Sequence, residues 1–289
     1  MQNLVNNPEF SAEAWNNIAI CNEAYGNKER ALKNLKKAVE KVQSNDRGRE
    51  QIFSNYISLL ANMKQWPQVK EFFETTNMNL FPITKSQYIG SFWPYVQSLF
   101  FTGKTQEALE KLLNLYSKSL KPEIRNCVAI DIIRFYFTIG SIDSEPVGIA
   151  SDFLVQNMNE KGISKKQNLN DAIFAKLERA EEIPEKLFNL FVSNIGCDPF
   201  STATYGLYLF RVKNDATRGA DYYTKAMKLA KNNDLYQELF FKCRTELALY
   251  YSRNKMQKEA KNEAQQIIKK CPATLPWYKN AAQKILAEF

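Results

Sequence analysis

The chain has 289 residues, 45% of them hydrophobic and 24% charged, which is enough to bury a core without disulfide staples. Lys and Arg number 39 against 31 Asp and Glu, a formal net charge of +8, and there is no histidine. That last fact removes Ser-His-Asp, Cys-His and His-metal chemistry at once. Ten Gly and ten Pro disfavour a turn-dense β fold, and no Gly-rich phosphate loop is present.

In chain order, the segment up to Trp15 reads as the end of one helical unit, a joint at Asn6-Asn7-Pro8 and the start of the next. A piece of a longer protein is therefore expected. From Ala14 to Ala38 the spacing predicts two amphipathic helices around a tight turn. Trp15, Ile18, Ala19 and Ala31 form the buried seam, Gly26 ends the first helix in the left-handed region, and Asn27 caps the second. The pattern recurs with Tyr56, Leu60, Trp66 and Phe73; with Gly103 and Ala108; with Ile133, Tyr136, Gly140 and Ala150; with Leu187 and Leu190; and with Gly219, Tyr223 and Ala226. A last copy has Leu247, Ala248, Tyr251, Ala260 and Pro272, with Lys255 in place of the turn Gly. Residues 159–170 are polar and carry Gly162, which predicts a flexible joint. Residues 274–289 read as a helix closing the array's apolar end.

Residues that open each second helix fall at 31, 69, 108, 150, 187, 219 and 260, with gaps of 38, 39, 42, 37, 32 and 41. This recurrence resembles the tetratricopeptide repeat (TPR) family, in degenerate form and over most of the chain; its repeat is about 34 residues. The resemblance implies an all-α, right-handed α-solenoid of about seven antiparallel helix pairs plus the closing helix, a single array over 1–289.

The resemblance also implies that first helices line a ligand groove. Carried over residue by residue, the groove positions are Asn16, Ile20 and Glu23; Ser54, Ser58 and Asn62; Trp93, Gln97 and Phe100; Ile130, Arg134 and Phe137; then Tyr208, Arg211, Thr245 and Arg253. Aromatics beside Arg and amides suit an extended peptide or stacked bases. The Lys and Asn clamp that some TPR domains close on a C-terminal carboxylate has no Lys here, since Asn16 and Ile20 stand at its first positions.

Arg253 to Lys284 holds eight basic residues against Glu259 and Glu263. Lys255, Lys258, Lys261, Lys269 and Lys270 are its core, a candidate dock for RNA, DNA or an acidic partner. Lys28 to Lys41 is a weaker basic helix. The run from Glu178 to Glu185 is explained by a helix start at Pro184, and the five cysteines (Cys21, Cys127, Cys197, Cys243 and Cys271) form no metal-binding spacing and read as small buried residues. No membrane span or leader is visible. The expectation is a cytoplasmic, non-catalytic scaffold without cofactors or metals, binding a protein or peptide as the interaction arm of a larger protein or complex. The alternatives are an RNA-binding helical repeat and a regulatory arm for a catalytic domain elsewhere.

Overall fold

The computed structural model describes residues 11–44, 46, 48–78, 83–118, 120–157, 165–193, 198–231, 237–273 and 275–289. Among these residues the secondary structure is helical and there are no strands; helices adjacent in sequence pack on one another, as in a helical solenoid. The chain divides into two compact units, Met1–Ile124 and Arg125–Phe289.

The first unit contains α1 (Ala12–Ala24), α2 (Lys28–Lys41), α3 (Arg49–Asn62), α4 (Trp66–Thr75), α5 (Lys85–Gln87), a π-helical turn (Tyr88–Phe92), α6 (Trp93–Phe101) and α7 (Thr105–Ser117). The second takes all but the first three residues of α8 (Pro122–Thr138), then α9 (Glu145–Gln156), α10 (Lys165–Glu178), α11 (Glu185–Val192), α12 (Pro199–Arg211), α13 (Ala216–Ala230), α14 (Gln237–Arg253), α15 (Gln257–Lys270) and α16 (Pro276–Ala287). Proline at the first or second position opens α4, α6, α9, α12 and α16, where a missing N–H has no intrahelical partner to lose.

One device closes every helix–turn–helix segment. A residue with positive φ follows α1, α3, α6, α8, α10, α12 and α14 within three positions: Gly26, Lys64, Gly103, Gly140, Ala180, Asn214 and Lys255. In six of them the next N–H donates five residues back, as Asn27 to Asn22, Gln65 to Leu60, Lys104 to Leu99 and Met256 to Tyr251. This bond satisfies a terminal carbonyl and turns the chain back on itself. Gly takes the left-handed conformation without a Cβ clash; Lys64 and Lys255 take it at a cost.

The residues expected to open the second helices behave alike. Ala31, Val69, Ala108, Gly219 and Ala260 each stand fourth in their helix, and with Ala150 and Leu187 they are buried. The closest approach is in the second unit. A Cβ on Gly219 would lie 2.9 Å from the Phe210 ring, and one on Gly206 would lie 3.2 Å from the Gly219 carbonyl oxygen. There the two backbones use the missing side chains for contact.

Three local expectations are corrected. Residues 165–170 belong to α10, so that part of the expected joint is helical, while 158–164 lie outside the described residues. Asn27 holds the N-cap position of α2 but its side chain makes no capping hydrogen bond. Cys21 is exposed, although Cys243 and Cys271 are buried, with thiols pushed up to about 12 and about 11 by desolvation; Cys197 lies outside the described residues. No described helix is long and apolar enough to cross a membrane.

Candidate functional site

In the second unit, α8, α10, α12 and α14, the helices that precede the left-handed turns, converge with α16 around a cavity of about 190 Å³. α8 supplies Arg134 and Phe137, α10 supplies Asn170, Asp171 and Phe174, and α12 supplies Phe200, Ala203, Thr204 and Leu207. The first half of α14 adds Glu238, Leu239 and Lys242.

Its polar groups are mostly paired already. Arg134 Nη2 donates to Asp171 Oδ2 at 3.1 Å, and Asn170 Nδ2 donates to Asp171 Oδ1 at 3.2 Å. Asp171 is 4% exposed. Burial pushes its carboxyl above the usual range, and the Arg134 guanidinium offsets only part of that rise. Arg134 has three carboxylates around it (Asp171, Asp131 and Glu238), which hold its guanidinium more firmly charged than usual against the desolvation it also feels.

Lys242 lies with its ammonium 3.6 Å from the centroid of the Phe174 ring and 4.3 Å from that of Phe137, and 3.4 Å from Glu178 Oε1. Ring faces and a carboxylate together compensate a lysine that is 9% exposed. Glu178 also takes Arg211 Nη2 at 2.7 Å.

One acceptor is left over. Asn170, 6% exposed, has a solvent-excluded Oδ1 with no hydrogen-bond partner. Its orientation is set by the Nδ2 bond to Asp171, because a swapped amide would set oxygen against oxygen. Glu238 accepts from the Thr138 hydroxyl, and no cation among the described residues lies within ion-pair distance of it. Surrounding helices desolvate it and push its carboxyl up, although the side chain stays open to water.

Of the expected groove residues, Arg134 and Phe137 line this cavity. Tyr208 is instead buried and stacked on Phe188, ring centroids 3.9 Å apart. Arg211 is pinned by its Nη1 to the carbonyls of Leu177 and Glu178, where it satisfies the end of α10. Ile130 and Thr245 are buried, and Arg253 is exposed at the end of α14.

In the first unit, Asn55 Nδ2 donates to the buried Asn16 Oδ1 at 2.8 Å, and Asn62 Nδ2 donates to Glu23 Oε1 at 3.2 Å. Those pairs join α1 to α3. Trp93, Gln97 and Phe100 are half-buried on α6, with the Phe100 ring set edge-on to Phe101. A cavity of about 240 Å³ in this unit is lined by Phe73, Met78, Phe92 and Lys111 and by none of the expected groove residues. On α15 and the turn before it, Lys255, Lys258, Lys269 and Lys270 are exposed, and Lys261, half-buried, lies 5.4 Å from the centre of the Phe289 ring. Of the carboxylates near Pro184, Glu181 takes Arg179 and Lys176, and Lys176 also reaches Asp152.

Asn170, Asp171, Phe174, Phe200, Thr204, Glu238 and Lys242 were not among the expected site residues. A signal for two of them existed. Groove positions on α1, α6 and α8 stand ten, six and three residues before the left-handed residue, and the same count from Ala180 lands on Asn170, Phe174 and Leu177. No protein-family model matches the chain, and no curated protein matches it closely enough to count as a relative.

Proposed function

We propose that this chain is a TPR-like scaffold: a right-handed array of about seven helix pairs closed by α16, which holds a protein or peptide partner on the faces of its first helices. It acts without catalysis or cofactor, in the cytoplasm, as the interaction arm of a larger protein or complex. One observation carries this reading. Four successive first helices contribute to a single cavity whose walls combine Phe137, Phe174, Phe200 and Leu207 with the polar side chains of Asp171, Thr204 and Glu238. Apolar walls with a few placed polar groups are what a side-chain pocket needs. The cavity's own cations, Arg134 and Lys242, are already met by carboxylates, which disfavours phosphate at this place. The RNA reading rests instead on the exposed lysines of the α15 region.

Photo-crosslinking tests it. A benzophenone residue at Glu238 or Gln97 is expected to trap protein in nuclease-treated lysate, while one at exposed Tyr25 traps little. Trapping only from Lys258 or Lys269, abolished by nuclease and by about 200 mM salt, transfers the assignment to RNA.

A further inference from the structure

We infer that the cavity of about 240 Å³ in the first unit binds an acidic peptide segment. One bulky apolar side chain of that segment enters it, and flanking carboxylates meet Lys111 and Lys118. This goes beyond the scaffold reading, since none of the expected groove positions lines this cavity. Its floor is apolar, with Phe73, Met78 and Leu115 at most 5% exposed. The π-helical turn adds Ser91 and Phe92; such a turn holds one more residue than an α-helical one and so re-aims the side chains at its end. The Ser91 hydroxyl is committed to that of Ser54, 2.5 Å away.

The charge around it has one sign. Lys111 and Lys118, both exposed, line it from α7, and no Asp or Glu is among its described lining residues. Neither ammonium has a carboxylate at ion-pair distance among the described residues. Of the acids on α7, Glu107 pairs with Lys104 and Glu110 accepts from Gln106. The cavity of the second unit is the opposite case, its cations already met by carboxylates. A further donor lies on the wall. Gln87 Oε1 accepts from the Thr84 N–H at 3.0 Å in a capping box, which fixes the orientation of the amide. Its Nε2 makes no hydrogen bond among the described residues. Two cations, an amide donor and an apolar floor match acceptors placed around an apolar group. α7 sets Lys111 and Lys118 two turns apart, about 10 Å along its axis. One carboxylate cannot meet both, whereas acidic residues on either side of an apolar one can. That favours a peptide over a single-headed amphiphile such as a fatty acid. The rings favour it over a nucleobase, because they already stack within the unit: Phe73 on Tyr95 at 4.1 Å and Phe92 on Tyr88 at 6.0 Å between centroids.

The probe is a capped pentapeptide, acetyl-Glu-Glu-Phe-Glu-Glu-amide, titrated by calorimetry and by the Met78 methyl signal in ¹³C spectra. Capping both ends removes the terminal charges, so only side chains supply carboxylates. The peptide is expected to bind with a Kd of about 0.1–1 mM and to move the Met78 signal. Replacing every Glu by Gln, or Phe by Ala, is expected to weaken binding at least about tenfold. Lys111→Gln and Lys118→Gln, at exposed positions that tolerate substitution, are expected to weaken it about two- to fivefold each, the range of exposed ion pairs. Lys258→Gln with Lys269→Gln is expected to leave it unchanged. Equal binding of the Gln or Ala peptide, an unchanged affinity in the Lys111→Gln/Lys118→Gln double variant, or no Met78 shift at about 10 mM peptide overturns the inference. So does an equal loss in the Lys258→Gln/Lys269→Gln variant. Tighter binding of octanoate or of a uridine tetranucleotide overturns the peptide assignment. Crosslinking from Glu238 reads the scaffold proposal separately, so either can fall alone.

Discussion

The two units close their helix pairs with the same left-handed turn but fill the space between first helices differently. In the first unit that space holds amides and hydroxyls: Asn16 with Asn55, and Ser54 with Ser91 at 2.5 Å. In the second it holds charge. Among the described residues, Asp131, Asp171, Lys176 and Lys242 are the charged residues buried as a whole, and all four belong to the second unit. Burying charge is costly unless it is paired, so the second unit depends on its ion pairs in a way the first does not. Its cavity lies among those charges. The difference teaches that a shared turn geometry specifies how helices stack and leaves the chemistry between them open.

The sharpest way to break this comparison is to remove one partner of a charge pair. Arg134→Ala leaves Asp171 buried without its guanidinium and is expected to destabilise the second unit by about 2–3 kcal/mol; the exposed side of Arg134 keeps this below the range for a fully buried pair. Asn55→Ala in the first unit is expected to cost about 1 kcal/mol. Urea unfolding reads both, and equal losses would sink the distinction. Arg134→Glu would set a second carboxylate against the buried Asp171 and disrupt the site rather than probe it.

Next in size is the tight contact between α12 and α13. Gly206→Ala drives a methyl against the Gly219 carbonyl and is expected to cost about 1–3 kcal/mol despite alanine's better helix propensity. A thermal melt that does not move would show that the two helices can separate freely.

The pH dependence should also separate the units. Asp171, Glu238 and Glu246, all in the second unit, have carboxyls raised by burial. A raised acid contributes stability that is complete below the unfolded value of about 4 and is lost as pH rises through the folded one. Glu74 in the first unit is lowered by its Lys70 and Tyr95 bonds, which outweigh desolvation, so its contribution is present above about 4.5 and lost on acidification. Acidifying toward the unfolded value of about 4 is therefore expected to raise hydrogen-exchange protection around Asp171, Glu238 and Glu246 relative to that around Glu74. Glu246→Gln should flatten that response and raise stability at pH 7; an unchanged profile would remove Glu246 from the account.

The smallest effect tests what the units share. Lys64→Gly and Lys255→Gly relieve a left-handed lysine in each unit and are expected to stabilise by up to about 1 kcal/mol, or about 2–4 °C in Tm. Gains in one unit only would show that the turns are not equivalent.

Much of the fold was legible because it is written in neighbouring residues. Ala31, Val69, Ala108 and Ala260 mark second helices because a small or compact residue is needed where two backbones cross, and Gly26, Gly103 and Gly140 mark turns because a left-handed residue ends a helix cheaply. The site was less legible. Arg134 and Phe137 were found from repeat register, but Tyr208 faces inward and Arg211 serves a helix end, since register alone does not say whether a long side chain turns toward a cavity or a neighbouring backbone. Asn170 was lost with the expected joint, and Asp171 and Phe174 directly after it were not considered, because a polar stretch hides the start of a helix that buries its polar residues.

By itself, then, the sequence determined the helical class, the turn positions and the seams, because each depends on contacts within about one helix pair. Only the tertiary structure decided that Asp171 meets Arg134 and that Lys242 rests on Phe137 and Phe174. Those relations join residues 37 to 105 positions apart, where packing geometry and burial, rather than local spacing, set which charges meet.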